Sequence, residues 1–317
     1  MVVAYAMVAP SSVKMINMKL LKTLLPLLML LTVLSCSKDE NDAKLPGIAE
    51  NKNKNLTSVY PEAARLEFPK LKGGQSIVLI HRTNDMYGVN FCTEWDTQKK
   101  SQRWSCYQMH KGNYGGNVGR YDGYPFDEDL DYKYYFTSDL YYGSGYDHGH
   151  ICPSADRQYS KEANRQTFFL TNMQPQRNIF NAGIWQKMEQ KVRDWVDNGI
   201  KRGALDTLYV CKGGTIDRDD QIKGYIQNQM IIPKFFFMAL LAKNASGYKA
   251  LAFWVEHKDT DYETDKKGNY PLANFVINIR ELETLTGIDF FCNLDDETED
   301  HVETLGVENI KSAWGLK

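Results

Sequence analysis

The chain is poor in the residues that mark repetitive or extended architectures. Of its 317 residues, 10 are proline and 23 are glycine, which excludes collagen-like and proline-rich folds. Internal repeats and low-complexity tracts are also missing. Neither charge sign dominates, because the formal net charge is −2. A globally basic nucleic-acid binder is therefore excluded, whereas a local basic cleft within an acidic body is not.

Long hydrophobic runs are missing except near the N terminus. A start at Met18 gives a short basic segment followed by an apolar run over residues 24–34, too short to span a bilayer comfortably. The run ends in Ser35 and Cys36, an arrangement similar to a lipobox, whose cysteine is lipidated and becomes the mature N terminus. We therefore expect residues 1–35 to be a lipoprotein signal peptide. The alternative is an ordinary signal peptide in which Cys36 is incidental.

The remainder divides into a short polar stretch and one large unit. Residues 36–57 are too polar to bury a core, so we interpret them as a tether between lipid and domain. Residues 58–317 have the composition of one globular domain. We expect an exported protein, anchored by lipid to the outer membrane of a Gram-negative bacterium and facing the periplasm or the exterior.

Five cysteines follow the lipobox, and the odd number leaves at least one thiol unpaired. None has the CxxC spacing of zinc or redox sites. Cys92 and Cys106 flank a predicted hairpin and could be bridged, and Cys211 and Cys292 end apolar runs and could also meet. The alternative is that all five are buried thiols. The five are Cys92, Cys106, Cys152, Cys211 and Cys292.

The pattern of apolar residues predicts an α+β fold with a mixed, mainly antiparallel sheet flanked by helices, because strands and helices do not alternate regularly. The strongest helix spans residues 178–198, where apolar residues recur at spacings of three and four. Residues 274–285 begin as a strand and pass into a helix that ends at Gly287. Strands are predicted at residues 75–82, 87–95, 103–110, 167–173, 207–211, 231–241 and 248–255.

Chemically active side chains concentrate between Tyr146 and Arg157, where two His, two Asp and one Arg occur in twelve residues. Three interpretations are open at this point. The segment could be a polar loop with satisfied histidines. It could be a zinc site, because His148 and His150 share a face of a strand. It could also carry a general-base histidine beside a metal-bound phosphate.

The downstream helix favours the third interpretation. Asn181 follows His150 by 31 residues, and its amide oxygen can bind a hard cation such as Mg²⁺. Glu189 lies two turns further along and can orient metal-bound waters. Arg193, four residues beyond Glu189 on the same face, is within reach of Glu189 and of a phosphate. A surface salt bridge is the alternative for this last pair.

The runs from Asp147 to Arg157 and from Thr171 to Glu189 together resemble the DNA/RNA non-specific endonuclease family of ββα-metal (His-Me finger) nucleases. The resemblance extends from about residue 77 to about residue 293. It implies that His150 is the general base of the signature Asp-Arg-Gly-His, and that Asn181 holds the metal in Asn-x-Gly-x-Trp. The helix Glu and Arg of the family correspond to Glu189 and Arg193.

One position departs from this signature, because His148 stands where the family has Arg. Histidine can replace that Arg toward a phosphate only when protonated, and it lacks the guanidinium fork. Arg157 and Arg177 are candidates for substrate binding. Further candidates for a basic groove are Lys99, Lys100, Arg103, Arg120, Arg165 and Lys187.

The resemblance implies a Mg²⁺-dependent phosphodiesterase, with Mn²⁺ or another divalent cation as a substitute. Phosphate and metal contacts would dominate, so DNA and RNA are both expected substrates, with 5′-phosphate products. Two alternatives stay open. The first, suggested by His148, is a catalytically weak nucleic-acid-binding lipoprotein of the same fold. The second is a carbohydrate- or partner-binding surface lipoprotein, which leaves the residues from His150 to Glu189 unexplained.

Overall fold

The computed structural model describes residues 50–316. The predicted signal peptide, Cys36 and the first part of the predicted tether lie outside the described residues. Within residues 50–316, no helix has the length and apolar character needed to cross a membrane.

A seven-stranded antiparallel sheet forms the centre of the molecule. Its strands are β1 (Ser76–Arg82), β2 (Val89–Asp96), β3 (Ser101–His110), β6 (Thr207–Gly214), β9 (Phe235–Asn244), β10 (Gly247–Glu256) and β11 (Val276–Ile277). They lie side by side in the order β1-β2-β3-β6-β9-β10-β11. A turn at residues 97–100 joins β2 to β3, which gives the predicted hairpin.

Helices cover both faces of this sheet, which explains why its central strands are apolar on both sides. Six helical segments contribute: α1 (Lys161–Gln166), α2 (Asn178–Phe180), α3 (Gln186–Lys201), α4 (Ile279–Thr286), α5 (Asp296–Glu303) and α6 (Val307–Trp314). On β9, Met238 and Leu240 share a core with α3 and α6, whereas Ala239 and Leu241 share one with α4 and α5. Because successive side chains of a strand point to opposite faces of the sheet, β9 contributes alternate residues to the two cores. The α+β prediction is confirmed.

Two small antiparallel ribbons stand outside the main sheet. The first pairs β4 (Asp147–His150) with β5 (Met173–Gln176), and the second pairs β7 (Ile222–Ile226) with β8 (Met230–Pro233). The β4–β5 ribbon leads directly into α2 and α3, which gives the order strand, strand, helix of the predicted ββα finger.

Two predicted strands are partly wrong. Residues 167–173 form turns and a 3-10 segment (Leu170–Asn172), and the strand begins only at Met173. Burial explains the apolar character of this segment, since Phe168, Phe169 and Leu170 are each 1% exposed. The predicted strand over residues 231–241 is two strands, interrupted at Lys234.

The predicted disulfides are also wrong, because all five described cysteines are free and buried. Cys92 lies opposite Cys106 on adjacent strands, and Cys211 lies opposite Cys106 on its other side. These three thiols belong to one apolar core, where cysteine packs as a small hydrophobic residue. The alternative of five buried thiols is the one observed.

The predicted tether extends too far along the chain. Residues 50–57 belong to the folded domain, because their asparagines bind its C-terminal part. Asn51 donates to Cys292 O at 3.0 Å, and Asn53 donates to Glu299 Oε1 at 2.8 Å. Asn55 is buried and donates to Pro69 O at 2.9 Å. Side-chain amides therefore order a segment whose composition alone predicts disorder.

Candidate active site

The β4–β5 ribbon and the helix after it line a cleft of about 720 Å³, here called the main cleft. Gly149 allows the two strands to approach, since a Cβ there would lie 2.4 Å from Gln176 Cδ. The helix is fixed to β4 by Trp185 Nε1, which donates to His150 O at 3.4 Å. Five predicted site residues line the main cleft: His148, His150, Asn181, Glu189 and Arg193.

The helix that carries Asn181 is not regular, although the sequence predicts one continuous helix. Residues 181–185 form a π-helical turn between α2 and α3, with Gly183 at φ −94° and ψ −115°. A Cβ at Gly183 would lie 2.9 Å from Tyr270 Oη. Single π-turns inside α-helices are frequent at functional sites. Here the turn lies at the residue predicted to hold the metal.

His150 is in the state that a general base requires. Its Nε2 is buried and has no hydrogen-bond partner within residues 50–316. Its ring packs edge-on against Phe168, with centroids 4.7 Å apart. Burial, and then the positive charge of Arg120, lower the pKa of His150 to about 3. The imidazole is therefore neutral near pH 7 and available to accept a proton.

The side chain of Asn181 is oriented by a carboxylate. Its Nδ2 donates to Asp147 Oδ2 at 3.0 Å, and Asn178 Nδ2 donates to the same oxygen at 2.9 Å. This fixes which end of the Asn181 amide is nitrogen. The amide oxygen, which makes no hydrogen bond to residues 50–316, is left as a hard oxygen donor in the main cleft.

Glu189 and Arg193 each have a partner that the sequence analysis did not name. Glu189 Oε1 lies 2.6 Å from Lys212 Nζ on β6, and Arg193 Nη1 lies 3.0 Å from Asp156 Oδ1. Burial raises the pKa of Glu189, and Lys212 opposes this effect. The expected pairing of Glu189 with Arg193, and its surface salt-bridge alternative, are both replaced by these two separate ion pairs.

His148 is held on three sides. Its Nε2 lies 2.8 Å from Asp139 Oδ2. Its ring stacks between Tyr124, at a centroid distance of 3.7 Å, and Tyr141, at 4.1 Å. Any positive charge on His148 is thus matched by Asp139 before a substrate arrives. The sequence alone gave no indication of this partner.

Arg157, predicted to bind substrate, is placed elsewhere by the structure. It is fully buried, its guanidinium stacks on Tyr107 at 4.4 Å, and its Nη2 donates to Gln108 O at 2.9 Å. That prediction is wrong, because burial removes the side chain from the main cleft. Arg177 is partly exposed, pairs with Asp259 at 2.7 Å and donates to Gly145 O at 3.1 Å.

Arg120 is the basic residue that the sequence analysis undervalued, since it appeared only among the groove candidates. It lines the main cleft and lies over the Phe168 ring at 4.7 Å. No ion pair joins it to a carboxylate of residues 50–316, unlike Arg103, which pairs with Asp96 and Asp217. It precedes His150 by 30 residues along the chain, so no local pattern in the sequence indicated that the two side chains line the same cleft.

A buried histidine–aspartate group lies outside the main cleft. The ligand atoms of His81, Asp127 and Asp129 lie within 4.8 Å of one another. Burial alone would lower the pKa of His81, but Asp127, 2.8 Å away, outweighs it and raises that pKa. His81 and Asp127 therefore form a buried ion pair, which ties β1 to the loop between β3 and β4.

Comparisons with known proteins identify the family of this chain. The model of the DNA/RNA non-specific endonuclease family matches residues 69–297. A nuclease of Nostoc sp. is 28% identical over 68% of this chain and 75% of its own length, and Nuclease EXOG, mitochondrial, of Xenopus laevis is 24% identical over 65% and 58%. The chain therefore spans little more than half of the mitochondrial relative.

A solved complex of EndoG with EndoGI shares the fold. Its TM-score is 0.56 at 19% identity, and the match covers 71% of this chain and 91% of that one. At this identity the likeness concerns the fold alone. The family match, by contrast, includes both β4 and β5, the π-helical turn and the ion pairs of α3. This confirms the resemblance found in the sequence: the chain belongs to the DNA/RNA non-specific endonuclease family and is a nuclease.

Proposed function

We propose that this nuclease hydrolyses phosphodiester bonds of DNA and RNA with Mg²⁺, and that it leaves 5′-phosphate ends. One observation carries the proposal. A neutral histidine (His150), an amide that is oriented by Asp147 (Asn181) and two guanidinium groups (Arg120 and Arg193) line the main cleft together. A phosphodiester needs a base, a cation and charge neutralisation for hydrolysis, and these groups supply or hold each of them.

The residues present fit a divalent cation. The oriented Oδ1 of Asn181 is one hard oxygen ligand, and the main cleft has room for the waters that Mg²⁺ keeps. Mn²⁺ has the same preference for oxygen and could replace it. A cation bound there supplies positive charge that polarises the phosphate and stabilises the leaving oxygen.

The side chains of the main cleft have three roles: they accept a proton, bind the phosphate and hold other side chains in position. His150 accepts the proton of the attacking water, while Arg120 and Arg193 bind the phosphate oxygens. Asp147 keeps the Asn181 amide oriented, and Lys212 keeps Glu189 in place to accept hydrogen bonds from water in the main cleft. As the water oxygen bonds to phosphorus, the bond between phosphorus and the 3′ oxygen breaks. The 3′ oxygen takes a proton from a solvent water in the main cleft, and His150 later releases its proton to solvent.

Substrate breadth follows from the same contacts. Contacts to phosphate and metal do not depend on base sequence, so single and double strands of DNA or RNA can bind in the main cleft. Degradation of plasmid DNA and of RNA with Mg²⁺, with Mn²⁺ and with chelator tests this proposal. Binding without cleavage under all conditions would instead indicate the catalytically weak, nucleic-acid-binding alternative.

We also propose that Cys36 carries lipid and anchors the nuclease to an outer membrane, facing the periplasm or the exterior. The support is the sequence alone: a basic start, a short apolar run and a small residue before Cys36. Several acyl chains on one cysteine would anchor the protein stably. The native protein should partition into detergent, and Cys36→Ala should abolish this; recovery of the wild type in the aqueous phase would contradict lipidation.

A further inference from the structure

One aromatic side chain of the main cleft is exposed to solvent instead of being packed. Tyr142 is 77% exposed, and of the exposed large apolar side chains within residues 50–316 it alone lines the main cleft. Its ring contacts one other ring, that of His148, at a centroid distance of 6.1 Å and an angle of 74° between the ring planes. Among residues 50–316, no ring or cation stacks on it. A broad face of Tyr142 is therefore available to a molecule in the main cleft.

A tight turn holds Tyr142 in this position. Tyr142 is the second residue of the turn from Tyr141 to Ser144, in which Ser144 N donates to Tyr141 O at 3.0 Å. Gly143 follows with a φ of +71°, a left-handed conformation that glycine adopts without the steric cost of a Cβ. The Ser144 hydroxyl also donates to Tyr141 O at 2.7 Å and accepts a hydrogen bond from Tyr146 N at 3.1 Å. These hydrogen bonds fix the backbone that carries the exposed ring.

Both ends of this turn are anchored to the β4–β5 ribbon. Tyr141 is buried and stacks on His148 of β4. At the other end, the guanidinium of Arg177, which follows β5, lies 4.4 Å from the centroid of the Tyr146 ring and donates to Gly145 O at 3.1 Å. An exposed tyrosine on a fixed backbone has few torsions left to order, so little conformational entropy opposes its contact with a ligand.

The charges of the main cleft allow a nucleic-acid strand to reach this ring. The two acidic residues that line the cleft, Asp147 and Glu189, are both held by neighbouring side chains. Arg120 and Arg193 line the same cleft, and we assigned the binding of phosphate oxygens to them. Because every nucleotide carries a base, a strand bound through its phosphates also brings bases into the main cleft. Tyr142 is the exposed ring that these bases can contact there.

We propose that Tyr142 stacks on an unpaired base of the substrate, and that this contact makes the nuclease prefer single-stranded to double-stranded nucleic acid. The contact narrows the proposed function, on which it rests, to a preferred substrate class. Every base has an aromatic face, so stacking tolerates any base sequence. In a duplex each base is already stacked and paired, and freeing it costs energy that an unpaired base does not require. Duplexes remain substrates through their phosphates but gain nothing from Tyr142.

Equilibrium binding in chelator, which removes divalent cations, tests the contact separately from hydrolysis. Fluorescence anisotropy of a labelled DNA oligonucleotide of mixed sequence gives the Kd of the single strand and of its duplex. Tyr142→Ala should weaken single-strand binding about 10-fold, because stacking on one ring is lost, and duplex binding less than ~2-fold. Tyr142→Phe should bind as the wild type does, since the hydroxyl makes no hydrogen bond to residues 50–316. Tyr225→Ala is the matched control, because Tyr225 is also exposed but lies on β7 and does not line the main cleft.

A strand of the same length in which abasic residues replace all bases keeps the phosphates and removes the stacking partner. Wild type and Tyr142→Ala should bind this strand equally, because the ring then has no base to contact. A difference of about 10-fold that persists on the abasic strand would assign Tyr142 to the sugar–phosphate backbone and overturn the proposal.

Hydrolysis with Mg²⁺ gives the second measurement. The ratio of kcat/KM on the single strand to that on the duplex should fall about 10-fold in Tyr142→Ala. The proposal is overturned if Tyr142→Ala binds the single strand as tightly as the wild type, if it loses single-strand and duplex binding equally, or if Tyr142→Phe is as weak as Tyr142→Ala. A wild type that binds but hydrolyses neither strand would refute the proposed function instead, and the Kd values in chelator would still decide the stacking contact.

Discussion

The main cleft and a second cleft, lined by α4, α5 and the segment around Asn53, both carry charged side chains, but they differ in how those charges are matched. In the main cleft, three charged groups each have their own counter-charge: Glu189 with Lys212, Arg193 with Asp156, and His148 with Asp139. Arg120 has no such partner among residues 50–316. In the second cleft, several carboxylates share Arg280. One-to-one ion pairing holds each side chain in position and leaves few polar groups of the main cleft without a partner. The groups of the main cleft that have no partner within residues 50–316, among them His150 Nε2, are those on which the proposed chemistry depends.

The largest expected effect comes from the open imidazole of the main cleft. His150→Ala removes the proton acceptor, so we expect a loss of about 10³-fold in kcat with the fold intact. Cleavage of plasmid DNA at saturating Mg²⁺ measures the loss, and circular dichroism checks the fold. His301→Ala, an exposed histidine on α5, should leave the rate unchanged. Near wild-type cleavage by folded His150→Ala would assign the base to another group.

The next effect concerns the open amide oxygen. Asn181→Ala should lower activity about 10²-fold and raise the Mg²⁺ concentration at half-maximal rate about 10-fold or more, because a ligand oxygen is lost. Asn178→Ala is the matched control, since Asn178 donates to the same Asp147 oxygen from an exposed position. An unchanged metal midpoint in Asn181→Ala would remove Asn181 from the coordination sphere.

A smaller effect is expected from the unpaired guanidinium. Arg120 helps to hold the pKa of His150 low, so Arg120→Gln should raise that pKa. His150 acts when it is neutral, so the acid limb of the kcat/KM profile should move to higher pH in the variant. The ratio of wild-type to variant rate should therefore be up to ~10-fold larger at the acid end of the profile than at neutral pH. Profiles from pH 3 to 8 measure this shift. Arg177→Gln, whose charge is paired with Asp259, should leave the limb in place; an equal movement in both variants would contradict the assignment.

The smallest effect on activity, but a clear one on stability, is expected at the buried arginine. Arg157→Met should lower the free energy of unfolding by about 2 kcal/mol, because charged hydrogen bonds to Asp156 O and Gln108 O are lost. The KM for nucleic acid should not change. Denaturant unfolding compares it with Arg165→Met, whose ion pairs are partly exposed and should contribute less than about 1 kcal/mol. A raised KM in folded Arg157→Met would contradict this prediction and show that Arg157 contributes to substrate binding.

Local patterns in the sequence predicted most of the elements that build the core. The spacing of Phe180, Ile184, Met188 and Val192 predicted the buried face of the helix, and all four are at most 2% exposed. The same periodicity did not predict the π-helical turn, where Gly183 packs closely against Tyr270, a residue far away along the chain. Apolar residues at 167–170 predicted burial correctly but not the secondary structure, since burial alone does not select a strand.

The motif around His150 and the one around Asn181 were enough to identify the family, because each is a short run whose residues act together. The partners of the site residues could not be predicted in this way. Lys212 lies 23 residues from Glu189 along the chain, and Asp156 lies 37 from Arg193. Ion pairing, burial and pKa depend on distance through space and on solvent access. The sequence therefore determined which chemical groups this protein carries, and the tertiary structure decided which of them are paired, which are buried, and which stay open for a ligand.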